Sequence, residues 1–113
     1  MIQITRVREV SMVARWAAEA TLVVICLSDD AAVEEVLLGP ATGALSRAGA
    51  ITALRPGTLV IDMSTIAPAT SQRLAHHLAE LGASYLDAPV TGGTEGAKAG
   101  NLSVLVGGGA PDL

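Results

Sequence analysis

The apolar residues of this chain gather in short unbroken runs. Residues 22–27 (LVVICL), 58–63 (TLVIDM) and 84–90 (SYLDAPV) are three such runs, and 102–108 (LSVLVGG) is a fourth candidate. A run that is apolar at successive positions fits a strand covered on both faces, as in a parallel sheet. Between the runs the spacing becomes helical. After the first run, Ser28, Asp29 and Asp30 can cap a helix, and its positive end favours acidic side chains. Val33, Val36 and Leu37 follow at helical intervals, and Gly39-Pro40 stops the pattern. Residues 44–54 predict a second short helix ended by Pro56-Gly57. Residues 66–81 (IAPATSQRLAHHLAEL) predict the clearest one: Leu74, Leu78 and Leu81 form a stripe, with Gln72, Arg73, His76 and Glu80 opposite. Pro68 suits its first turn and Gly82 its C-terminal cap. Residues 13–20 read as a short helix leading into the first strand, whereas residues 1–12 match no pattern.

Strands alternating with helices imply right-handed crossovers and a mostly parallel sheet. The fold class expected is therefore α/β: part of a doubly wound, Rossmann-type sheet of three to four strands with flanking helices. The length of 113 residues allows one small domain. Half the residues are hydrophobic, yet there is no Phe, one Trp and one Tyr, so the core must be aliphatic. The net charge of -4, with scattered basic residues, gives no reason to expect a nucleic acid or an anionic membrane as partner. No apolar stretch approaches the roughly 20 residues of a membrane span, and the charged opening MIQITRVREVSMVARW does not read as a secretion signal. The single cysteine, Cys26, lies in an apolar run and is expected as a small core residue. It allows no internal disulfide, which fits a reducing, cytoplasmic setting.

In open α/β sheets ligands bind at the carboxyl ends of the strands. Those ends are expected at Leu27-Ser28-Asp29, at Met63-Ser64-Thr65 and at Ala88-Pro89-Val90, the last opening into Thr91-Gly92-Gly93. Together they offer hydroxyls, main-chain N–H groups and glycines. The segment from Asp87 to Leu102, DAPVTGGTEGAKAGNL, reads as a glycine-rich loop. Its Gly-Gly pair is either a surface turn or a nest of successive N–H groups facing a carboxylate. Lys98, the only lysine, sits in this loop and is expected to be solvated. His76 and His77 are adjacent and cannot share a helix face, so no metal site is expected from them. Asp62 and Asp87 can act as acids or bases, or can bond neighbouring backbone. Trp16 either covers the sheet edge or lies exposed.

Three of these segments carry a family likeness. YLDAPVTGGTEGAKAGNLSVLVGG (85–108) resembles the substrate-binding signature of the β-hydroxyacid dehydrogenases, which include 3-hydroxyisobutyrate dehydrogenase, tartronate semialdehyde reductase and, more distantly, 6-phosphogluconate dehydrogenase. LVIDMSTIAP (59–68) resembles that family's strand and turn that carry a cofactor-contacting Thr, ATLVVICLSDDAAVEEVLLG (20–39) resembles the preceding strand and helix, and the likeness runs from about residue 17 to the end. It implies NAD or NADP as cofactor, contacted by Leu27, Ser28 and Thr65. It further implies a small hydroxyacid substrate whose carboxylate is held by Thr91, Gly92 and Gly93. The family usually has Ser at the position of Thr91, and the DAPV signature favours its short-chain-acid branch. Two features of the family are missing from this sequence: the G-x-G-x-x-G turn that cradles a pyrophosphate, and the catalytic lysine that lies beyond the Gly-Gly loop. The resemblance thus implies a single partial NAD(P)-binding domain, residues 17–113, with 1–16 unplaced and the helical C-terminal domain lacking. Weak or absent cofactor binding and turnover by this chain alone are expected. The competing expectation is a non-catalytic remnant or interaction module, pairing as a homo-oligomer through an exposed sheet edge.

Overall fold

The computed structural model describes residues 2–4 as backbone, and residues 17–39 and 54–113 with their side chains. Trp16 and all but the last residue of the helix expected over 44–54 lie outside these. Strand β1 (Ile2–Ile4) is followed by β2 (Leu22–Ile25), α1 (Asp30–Leu38), β3 (Leu59–Asp62), α2 (Pro68–Glu80) and β4 (Ser84–Asp87). Then come β5 (Val90–Thr91), α3 (Gly93–Ala99), β6 (Ser103–Val104) and a 3₁₀ turn, Ala110–Asp112. Of the expected helix at 13–20, the described part is helical over residues 17–19.

Strands β1 to β4 form one parallel sheet in sequence order. Val23 pairs with Ile2 and Val60, and Val60 with Tyr85; one step on, Ile25 pairs with Asp62 and Asp62 with Asp87. Successive crossovers of one hand, moving in one direction across a sheet, put their helices on one face. Accordingly α1 and α2 lie side by side, joined by an Arg73–Glu34 ion pair and by the Thr70 hydroxyl, which donates to Asp30 Oδ2 at 2.6 Å. The pleat sends Val23, Ile25, Val60, Asp62 and Tyr85 to one face, and all are buried. There they pack with Val33, Val36, Leu37, Leu74 and Leu78. Fully burying each such aliphatic side chain contributes about 1.5–3 kcal/mol.

Several expectations are corrected. The fourth parallel strand is β1, not 102–108. That apolar run instead turns back along 87–91: Ser103 and Val104 pair antiparallel with Thr91 and Val90, and Asp87 and Gly107 exchange N–H···O bonds of 2.9 and 2.8 Å. It lies outside the two-sided core, leaving Leu105 and Val106 64% and 51% exposed. The run 84–90 is two strands, interrupted at Ala88-Pro89, where proline offers no N–H. The glycine-rich segment is a helix, α3, rather than a loop. Cys26, one residue beyond the end of β2, is exposed rather than in the core. Leu81 leaves the α2 stripe because it is the C-cap, with φ -96° and ψ 1°, and it is exposed.

Candidate functional site

The in-register pairing of Ile25, Asp62 and Asp87 aligns the ends of β2, β3 and β4 along one rim. The loops that follow them carry Ser28 and Thr65, both exposed, and lead toward Thr91, Gly92 and Gly93, also exposed. Among the described residues, the hydroxyls of Ser28, Thr65 and Thr91 make no side-chain hydrogen bond. Leu27 differs. It is half-buried against the core, and its N–H already donates to Ser64 Oγ at 2.8 Å. What Leu27 offers a ligand is its carbonyl and its side chain. Asp29 is likewise engaged: its Oδ1 accepts from the Ala32 N–H at 2.8 Å and caps α1.

The glycines of α3 divide their work. Gly92 has φ 125° and Gly93 φ 59°, conformations that most side-chain-bearing residues resist. A Cβ on Gly92 or Gly96 would approach Leu102 Cδ2 to 3.2 or 3.1 Å, so these two glycines let Leu102 seat against the helix. Gly100, at φ 69°, ends it. A Cβ on Gly93 would meet nothing within 4 Å. Gly93 is therefore glycine for its backbone, with open space before it.

Behind the rim lies a polar network that the sequence alone did not assemble. Asp62 is fully buried. Its Oδ1 accepts from the Ser64 N–H at 2.9 Å and its Oδ2 from the Tyr85 hydroxyl at 2.8 Å. Its main-chain carbonyl accepts from the Ala88 N–H at 2.7 Å. One residue thus ties the tip of β3 to that of β4 and, through Ser64, to Leu27 beyond β2. An acidic residue inside the apolar run LVIDM was the available signal, because a buried carboxylate demands donors. Burial raises the Tyr85 pKa well above its usual value. Asp87 Oδ1 is buried without a partner among the described residues. Desolvation raises the Asp87 pKa, the Ser71 hydroxyl opposes this, and the charge of Asp62 adds to it. Asp87 and Tyr85 line a cleft of about 290 Å³ with Pro68, Ser71, Gln72 and Gly107. This cleft lies between the first turns of α2 and the end of β4.

Other candidates have no place on the rim. Lys98 is exposed in the last turn of α3. His76 Nε2 sits 3.3 Å from Glu80 Oε1 on the exposed side of α2. No group of three or more His, Cys, Asp or Glu among the described residues could hold a metal ion, and no described helix is long and apolar enough to cross a membrane.

A sequence profile of the NAD-binding domain of 6-phosphogluconate dehydrogenase matches residues 3–113. The chain is 43% identical over 96 residues to 2-hydroxy-3-oxopropionate reductase of Escherichia coli, covering 84% of this chain and 30% of that one. Among solved structures, it resembles 3-hydroxyisobutyrate dehydrogenase of Mycobacterium tuberculosis, solved with L-serine, at 31% identity and a TM-score of 0.72, covering 88% of this chain and 31% of that one. It also resembles Psf3 in complex with NADP+ and 2-OPP, at 34% identity and a TM-score of 0.71, covering 93% of this chain and 34% of that one. The chain therefore spans about a third of the length of these relatives.

Proposed function

The chain belongs to the family of the NAD-binding domain of 6-phosphogluconate dehydrogenase, and on that premise we propose that it forms the cofactor rim and carboxylate cradle of a β-hydroxyacid dehydrogenase. In this reading NAD or NADP lies across the rim against Leu27, Ser28 and Thr65. Thr91, Gly92 and Gly93 receive the carboxylate of a small hydroxyacid. The observation that carries the reading is the alignment of three strand ends in register. The residues fit such a group: Ser28 and Thr65 stand exposed on neighbouring loops, and Gly93 opens onto free space.

The bound nicotinamide supplies a hydride acceptor or donor for the hydroxyl-bearing carbon of the substrate. The chain's own part is to bind and orient. Ser28 and Thr65 present hydroxyls to the cofactor. Thr91 adds a hydroxyl beside the main-chain N–H groups of Gly92 and Gly93, which suit a carboxylate because successive N–H groups make an anion-binding concavity. The proton of the substrate hydroxyl is assigned to no residue of the rim. Lys98 is exposed on α3 and is given no such role.

Calorimetric titration of the chain with NADH and NADPH, up to about 1 mM, tests the proposal. Weak saturable binding of at least one is expected, since the chain has no glycine-rich turn for the pyrophosphate. Turnover of 3-hydroxyisobutyrate or tartronate semialdehyde is expected to be lower by about 10² to 10⁴ for want of a proton-transfer group. Binding of neither nucleotide would end this reading for the chain. A second reading, association of copies through the segment 102–106, is favoured by the exposure of Leu105 and Val106. A concentration-independent monomer in sedimentation would dispose of it.

A further inference from the structure

Ser28 and Thr65 sit on different loops, yet each is bracketed by residues that bond across to the other loop. Just before Ser28, the Leu27 N–H donates to Ser64 Oγ at 2.8 Å. Just after Thr65, the Ala67 N–H donates to Asp30 Oδ2 at 3.0 Å, and the Thr70 hydroxyl donates to the same oxygen at 2.6 Å. We propose that Ser64 and Asp30 are positioning residues that lock these two loops into one unit, so that the cofactor contacts of Ser28 and Thr65 are held at a fixed spacing. This rests on the proposed role of the rim in binding the nicotinamide nucleotide.

The first clamp continues the sheet past its own end. The last main-chain bond between β2 and β3 runs from the Met63 N–H to the Ile25 carbonyl at 2.7 Å. Beyond it the strands part, and the Ser64 hydroxyl takes over as acceptor for Leu27. Ser64 is itself fixed, since it is 2% exposed and its N–H donates to the buried Asp62 carboxylate. The second clamp supplies what α2 lacks. Its N-cap, Ala67, has no side chain able to cap, and the carboxylate of Asp30, from the start of α1, accepts from the N–H of Ala67 itself, the bond that an acid in the first turn makes in a capping box. The favourable bonds from Thr70 and Ala67 hold the Asp30 carboxyl below the usual carboxylate value. A clamp on each side of both hydroxyls leaves the loops little freedom to move separately.

Amide hydrogen exchange on the full chain, read by NMR, tests this without any ligand. The Tyr85 and Leu86 amides of β4 serve as the reference for global opening. Ser64→Ala is expected to speed Leu27 exchange by about tenfold relative to that reference. It is also expected to speed Ala67 exchange, on the far side of the other clamp. Asp30→Ala is expected to do the converse, speeding Ala67 directly and Leu27 across the loops. Ser64→Thr, which keeps the hydroxyl, is expected to restore both amides toward wild type. If each alanine variant loosens only its own partner amide, the two clamps are independent and the proposal is overturned. Should Ser64→Ala fail to fold, Asp30→Ala on the helix surface decides the matter through Leu27 alone. A fall in NADH affinity of about fivefold or more in either variant is the functional readout. A wild-type chain that binds no nucleotide would refute the proposed function, while the exchange cross-effect would still decide the clamp.

Discussion

Replacing Asp62 by asparagine and by alanine is expected to cost very different amounts. The carboxylate is fully buried and receives two donors, the Ser64 N–H at 2.9 Å and the Tyr85 hydroxyl at 2.8 Å. Alanine leaves both donors without their acceptor. A buried polar group stripped of its partner costs about 1–3 kcal/mol, so two cost about 2–6. Two effects bring that down. The variant no longer desolvates a carboxylate, and the Tyr85 hydroxyl can turn toward Ser71 Oγ, 3.4 Å away. About 3 kcal/mol remains, a large part of the stability of a domain this size. Asparagine has the same shape. Its oxygen can keep the Ser64 N–H while its amide nitrogen donates to the Tyr85 oxygen, which passes its own proton to Ser71. The expected cost is about 1 kcal/mol, that of exchanging a charged acceptor for a neutral one. Urea unfolding followed by far-ultraviolet circular dichroism measures both. Equal costs for the two variants, or an alanine variant within about 0.5 kcal/mol of wild type, would refute the view that Asp62 acts through its two donors.

Three further outcomes follow from the same network and the adjoining glycines. Tyr85 is the only tyrosine, and burial raises its pKa above the ordinary 10.0; the neutral phenol is therefore favoured in the folded state, and its contribution is full below about pH 10 and lost as pH rises further. Tyrosinate absorbance at about 295 nm should thus appear together with loss of the far-ultraviolet signal, and its appearance in a still-folded chain would contradict the burial argument. Asp87 is raised by desolvation, so its charged form opposes folding at neutral pH; Asp87→Asn is expected to raise the urea midpoint at pH 7, with a gain that shrinks as pH falls through the Asp87 titration, and a lower midpoint at pH 7 would count against it. Gly92→Ala, at φ 125° with Leu102 Cδ2 3.2 Å from the new Cβ, is expected to cost about 2 kcal/mol, against about 1 for Gly93→Ala at φ 59° in open space. The reverse order in thermal melts would show that Leu102 does not seat as described.

The parts of the fold that the sequence made legible are those where period and burial agree. Strands β2 and β3 are apolar at successive positions, α2 has a proline at its start, and α1 has an acidic cap. Strand β1 escaped because three residues, Ile2–Ile4, make too short a pattern to detect. Helix α3 escaped because glycine penalises helix formation by about 1 kcal/mol per residue; it forms because Gly92 and Gly100 frame it and Leu102 packs against Gly96. The run 102–108 misled because an apolar stretch does not say whether a strand is covered on both faces or merely pairs along one edge. At the rim, Ser28 and Thr65 were singled out by the rule that ligands sit at carboxyl ends together with the family likeness, and both stand exposed on the loops after β2 and β3. Ser64, Asp62 and Asp30 were not assembled into a network, because apart from the local Ser64–Asp62 bond the partners that join them to other elements lie 23 to 40 residues away, a distance at which neither period nor spacing carries information.

Amide chemical-shift mapping during titration of the chain with NADH, then with a small hydroxyacid, tests the shared rim most directly. The account predicts that NADH shifts the amides of Ser28 and Thr65 and their immediate neighbours, and that the acid shifts those of Thr91, Gly92 and Gly93. Saturable shifts that cluster instead around the Asp87–Gly107 cleft, or that leave Ser28 and Thr65 untouched, would contradict it.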